Sequence, residues 1–162
     1  MSHPTRLLFV CLGNICRSPS AENVMRHLVI DEGLDEAFEI ASAGTAGWHI
    51  GNPPDSRMTA AATARGIPMT GRARQAEAKD FSEFDWIFAM DQSNYEDLLA
   101  LREQCEYPTA RLVLFCEFCE SHEESEVPDP YYGGPEGFEK VLDLLEDGCA
   151  AFLQAWRANR LP

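Results

Sequence analysis

Basic residues are scarce in this 162-residue sequence: 13 Lys and Arg stand against 27 Asp and Glu, for a formal net charge of −14. That balance argues against a nucleic-acid ligand or an anionic membrane surface as partner. Long apolar runs are missing as well. Leu7-Leu8-Phe9-Val10, preceded by the lone early cation Arg6, is too short for a signal core or a membrane span. With no secretory segment ahead of them, the six cysteines read as reduced thiols in a cytoplasmic setting. There is no Walker loop, no dinucleotide fingerprint, no internal repeat, no low-complexity tract and no linker. Cys116-x-x-Cys119-x-x-His122 offers two thiols and an imidazole but lacks a fourth ligand or a second Cys-x-x-Cys pair. It therefore reads as surface cysteines at a strand end, and neither a metal nor an organic cofactor is expected.

What is present is enough for one domain over residues 1–162, with 45% apolar residues to build its core. Strand patterns over Leu7–Val10, Phe38–Ser42, Trp86–Met90 and Arg111–Phe115 alternate with helical ones. Ala21, Val24, Met25, Leu28 and Val29 repeat at helical spacing. Ser56–Arg65 is alanine-rich, with Gly66 as a C-terminal cap. Ser93-x-x-Glu96 has the form of a capping box, opening a helix with Tyr95, Leu98 and Leu99 inward. A stripe from Phe138 to Trp156, including Cys149 as a core residue, marks a long last helix. The alternation predicts an α/β fold: a four-stranded parallel sheet flanked by helices on both faces. Ligands then bind beyond the carboxyl ends of the strands. The irregular segments 44–55 and 116–136 are expected there.

The first such end carries Cys11-Leu12-Gly13-Asn14-Ile15-Cys16-Arg17-Ser18-Pro19. Backbone N–H groups of a strand-to-helix turn converge on a point, and the helix start adds partial positive charge. Arg17 adds a bidentate fork for phosphate oxygens. The same field favours a thiolate at Cys11. Gly13 lets the backbone approach an oxyanion, Asn14 suits φ > 0, and Ser18 and Pro19 read as N-cap and first helical residue. A phosphate-binding loop with a nucleophile beneath it points to phosphatase chemistry. Such a reaction needs a general acid for the leaving oxygen. Asp129, stiffened by Pro128 and Pro130, is the candidate.

The segment from Val10 to Glu22 resembles the signature of the low-molecular-weight protein tyrosine phosphatases. Ser42-Ala43-Gly44-Thr45, Met90-Asp91 with Asn94, and Asp129-Pro130-Tyr131-Tyr132-Gly133-Gly134 resemble that family in the same order. The resemblance implies phosphotyrosine in proteins as substrate, inorganic phosphate as product, Cys11 as nucleophile and Asp129 as acid. It implies that Trp48, Tyr131 and Tyr132 wall the pocket, joined by Leu12 and Ile15 from the loop. It also implies that Ser18 stabilises the Cys11 thiolate, that Ser42, Asp91 and Asn94 brace the loop (Asp91 alternatively caps a helix), and that Cys16 can capture oxidised Cys11 as a disulfide. The chain departs from the pattern at Gly71, where many relatives carry a histidine, so a link in the bracing network is expected to be missing. An arsenate reductase on this scaffold would need a cysteine relay, whose spacing Cys105, Cys116 and Cys119 do not resemble. Protein-arginine phosphatases of the family carry threonine at the position of Ile15. A catalytically idle phosphoprotein-binding module would lack Cys11, Arg17 or Asp129.

Overall fold

The computed structural model describes residues 3–162. Four strands, β1 (Thr5–Cys11), β2 (Phe38–Gly44), β3 (Trp86–Ala89) and β4 (Arg111–Leu114), form one all-parallel sheet in the order β2-β1-β3-β4. The helices are α1 (Arg17–Asp31), α2 (Ser56–Ala64), α3 (Asp80–Glu83), α4 (Gln92–Arg102) and α5 (Pro135–Arg157). The sequence pattern anticipates every strand within two residues at either end and, among the α-helices, misses the single-turn α3. That turn is too short to show a period.

The two faces of the sheet follow from strand alternation. Leu7, Phe9, Trp86 and Phe88 point to the α1/α5 side, with Met25, Val141, Leu145 and Phe152. Leu8, Val10, Ile87 and Ala89 point the other way, with Phe81 and Leu98 of α3 and α4. Aromatic rings dominate the first layer. Phe9 and Phe88 stack at 4.8 Å between centroids, and Phe152 stands edge-on to Phe88 at 5.3 Å.

Two local expectations are corrected. α4 is capped not by Ser93 but by Asp91, whose carboxylate accepts from the Asn94 N–H at 2.8 Å. Arg17, not Pro19, is the first residue of α1, and Ser18 makes no cap. Pro19 still lies in the first turn, where its missing N–H leaves no helical bond unmade.

β1 is the strand at which the order reverses, with β2 on one side and β3 on the other. The crevice beyond such a switch point is where a parallel sheet offers its strand ends to a ligand. The loop after β1 opens into it.

Gly148 in α5 is a packing requirement of this core. A Cβ there would stand 2.5 Å from the ring of the buried Phe115. Alanine in a helix is ordinarily favoured over glycine by about 1 kcal/mol. Here overpacking, at about 1–3 kcal/mol, opposes and exceeds that gain. Gly148→Ala is therefore expected to lower stability, and a denaturant midpoint at or above that of the wild type would refute the account.

Candidate active site

The geometry of the loop from Cys11 to Arg17 begins with how β2 approaches it. The pairing of Cys11 with Gly44 continues past the strand ends, where Thr45 N–H donates to Cys11 C=O at 2.9 Å and Ala46 N–H to Leu12 C=O at 3.0 Å. This approach requires glycine, because a Cβ on Gly44 would lie 2.7 Å from the Leu12 carbonyl oxygen. The loop is thus zipped to the sheet along one edge.

Asn14 sits at its turn with φ +58°, in the left-handed region that asparagine tolerates. Its N–H points at Cys11 Sγ from 3.3 Å. Ser18, freed from capping, places its hydroxyl 3.0 Å from the same sulfur. Both donors suit a sulfur bearing negative charge.

Asn14 is fixed from every side. Its Nδ2 donates to Ser18 Oγ at 2.8 Å and to Ser42 Oγ at 2.9 Å, while its Oδ1 accepts from the Arg74 N–H at 3.0 Å. Gly71 does not leave this network open. Ser42 donates to the carboxylate of Glu22 at 2.5 Å, so the expected gap is closed from α1.

Arg17 is 3% exposed, and its Nη1 is engaged on two sides. Its Nη1 donates to Asp91 Oδ2 at 2.6 Å and to Val127 C=O at 3.1 Å, and its Nη2 lies 3.8 Å from Asp129 Oδ2. Burial pulls against its charge, but Cys11 and the hydrogen-bonded Asp91 outweigh that and hold its pKa above the ordinary arginine value. Asp91 thus has two tasks, capping α4 through Oδ1 and orienting Arg17 through Oδ2. Asn94 contributes its backbone N–H to that cap. Its side-chain Oδ1 is buried without a partner.

Asp129 is exposed, and its Oδ1 accepts from the Tyr131 N–H at 3.1 Å. Its segment is pinned two residues earlier by Val127, whose N–H donates to Met90 C=O at 2.8 Å. Cys11, Arg17 and Asp129 meet at a cavity of about 280 Å³, lined also by Leu12, Gly13, Ile15, Cys16, Trp48, Tyr131 and Tyr132. Trp48 and Tyr132 form its rim, 72% and 95% exposed, with Tyr132 edge-on to Tyr131 at 5.0 Å.

His49 also lines the cavity, close against Gly13, and the sequence reading passed over it. Its place beside Trp48 in a loop at a strand end was the available signal. Nothing in the sequence pointed to Val127 or to Arg74, because both act through the backbone.

Cys16 is buried, and burial, reinforced by the charges of Asp55 and Cys11, pushes its thiol up to about 12. Cys116 is buried and Cys119 half-buried, in and just after a 3-10 turn over Phe115–Phe118, so they are not surface cysteines. His122 is held by Asp147 at 2.7 Å. Among the described residues no cluster of three or more His, Cys, Asp or Glu could hold a metal ion, and no helix is long and apolar enough to cross a membrane.

Known proteins share this arrangement of chain. The human low molecular weight phosphotyrosine protein phosphatase is 43% identical over 148 residues, covering 91% of this chain and 93% of the human one. A crystal structure of a protein tyrosine phosphatase from Entamoeba histolytica, with Hepes in the active site, matches with a TM-score of 0.90 and 42% identity, over 97% of this chain and 99% of that one. The crystal structure of a Drosophila arginine phosphatase matches at 0.88 and 33% identity, over 93% and 97% of the two chains. The family model for low molecular weight phosphotyrosine protein phosphatases matches residues 6–161. The chain belongs to that family.

Proposed function

We propose that this chain, acting as one domain over residues 1–162, removes phosphate from tyrosine-phosphorylated proteins in the cytoplasm through a cysteinyl-phosphate intermediate. One observation carries the reading. The Cys11 sulfur faces donors from Asn14 and Ser18 at one mouth shared with a buried guanidinium and an exposed carboxylate.

In the first step the Cys11 thiolate attacks phosphorus, while Asp129 gives its proton to the departing phenolic oxygen. Loop N–H groups and Arg17 hold the equatorial phosphoryl oxygens. In the second step the Asp129 carboxylate takes a proton from water as that water attacks phosphorus. Inorganic phosphate leaves, and the Cys11 thiolate is expelled toward the Ser18 hydroxyl. These steps call for no metal and no organic cofactor.

Fold does not choose the phosphoryl donor, since the Drosophila neighbour is titled an arginine phosphatase. Ile15 favours phosphotyrosine. It lines the cavity with Trp48 and Tyr131, offering an apolar contact to a phenyl ring and no acceptor to a guanidinium.

Asp129→Asn is expected to slow hydrolysis of aryl phosphates with poor leaving groups by about 10²–10⁴-fold. With a strongly acidic phenol the loss should shrink, and an equal loss for both would remove Asp129 as the acid.

Peroxide is expected to convert the Cys11 thiolate to a sulfenic acid, which the Cys16 sulfur attacks to form a disulfide with loss of water. Because burial keeps Cys16 protonated, it is the partner and not the first thiol oxidised. Recovery of activity on adding dithiothreitol should be full in the wild type and poor in Cys16→Ser. Equal recovery would clear Cys16 of that role.

On phosphotyrosine and phosphoarginine peptides, kcat/KM should favour the former by at least about tenfold. Ile15→Thr should narrow that ratio by supplying a hydroxyl. A wild-type preference for phosphoarginine would overturn the substrate assignment.

A further inference from the structure

Glu22 lies in the first half of α1, outside the cavity, and no step above uses it. Its side chain is only 13% exposed. One oxygen, Oε2, is held by Arg26 Nη2 at 2.7 Å, and the other, Oε1, receives the Ser42 hydroxyl at 2.5 Å. Arg26 is itself fixed, its Nη2 also donating to Ile40 C=O at 3.0 Å and its Nη1 to Asn23 Oδ1 at 3.0 Å. The carboxylate is therefore a stationary acceptor aimed at Ser42.

Gly71 borders the pair and brings no side chain to it; a Cβ at position 71 would stand 4.0 Å from Glu22 Oε1. The cavity there, bordered by Asn14, Glu22, Ser42 and Gly71, is about 10 Å³, no more than one water.

Donor and acceptor chemistry then propagates in one direction. A carboxylate flanked by arginine only accepts, so Ser42 must donate to it. The Ser42 lone pair is left to accept from Asn14 Nδ2. The other Nδ2 proton goes to Ser18 Oγ, so Ser18 in turn must donate onward. Its acceptors within reach are Cys11 Sγ at 3.0 Å and Ala43 C=O at 3.2 Å. We propose that Glu22 is a positioning residue for the nucleophile: through Ser42 and Asn14 it holds the Ser18 hydroxyl toward the Cys11 sulfur.

The inference rests on the phosphatase reading and predicts where in turnover the effect falls. A hydroxyl aimed at sulfur helps most when sulfur is the leaving group, in hydrolysis of the cysteinyl-phosphate. Loss of the anchor should slow that second step and leave the first largely intact. A merely structural role for Glu22 would reduce both together.

The experiment is pre-steady-state release of p-nitrophenol from p-nitrophenyl phosphate by wild type, Glu22→Ala, Glu22→Gln, Ser42→Ala and the Glu22→Ala/Ser42→Ala double variant. Wild-type turnover tests the phosphatase reading by itself, and its absence would sink that reading before any variant is compared. Glu22→Ala is expected to lose about tenfold in kcat, with KM falling in parallel and the pre-steady-state rate of p-nitrophenol release close to that of the wild type. Glu22→Gln keeps the acceptor without the charge and should lose about threefold in kcat with that pre-steady-state rate likewise retained. If Glu22→Ala does not fold, Glu22→Gln decides alone. The double variant should be no slower than Ser42→Ala, because both act along one path. Wild-type kcat in the folded Glu22 variants overturns the proposal, as do a pre-steady-state rate that falls as far as kcat and single losses that multiply in the double variant.

Discussion

The burial of one guanidinium organises this molecule. Removing a cation from water costs several kcal/mol unless it is paired and hydrogen-bonded, and Arg17 is almost wholly removed. Its partners come from three separate parts of the chain: Asp91 after β3, the Val127 carbonyl in the segment after β4, and Asp129 two residues beyond. The charge therefore dictates where α4 begins and where the last loop crosses the sheet. It also keeps its second nitrogen turned toward the cavity. The cost of desolvation is offset only when all these parts are in place, so assembly of the site and completion of the fold are one event.

The fold was legible because its signals are local. Strands buried on both faces read as short apolar runs, and α5 read as one long stripe. The family resemblance, carried by the loop sequence itself, pointed to the right members for the cavity. Two things were not legible. Asp91 holds Arg17, a contact 74 residues away in sequence, while it caps α4. Glu22, quoted only as part of a motif, closed the bracing network across the space beside Gly71. Each depends on a pairing between distant segments, and single-sequence patterns carry no information about such pairings.

The electrostatic setting sharpens the contrast between site and surface. With a net charge of −14, the protein repels a phosphorylated partner at long range, and ionic strength screens that repulsion. Attraction begins only where the loop's N–H groups and Arg17 outweigh the surrounding carboxylates. Under the proposed function, affinity for phosphate is then a short-range property, and salt should hasten encounter even as it weakens the final ion pairs.

Val127 illustrates how such a site can be insensitive to spelling yet sensitive to counting. Its two contacts, to Met90 and to Arg17, are made by groups that every residue but proline possesses. Apolar exchanges at this position preserve them, so a comparison of side chains would rank it as ordinary core. The spacing from this pin to Asp129 is what sets where the carboxylate stands. Loss or gain of a single residue between them would shift the carboxylate along the chain, away from Arg17 Nη2, and leave Cys11, the Asp91 and Val127 contacts of Arg17 and the sheet in place. The geometric constraint here is on the length of chain between Val127 and Asp129, not on the side chain at position 127.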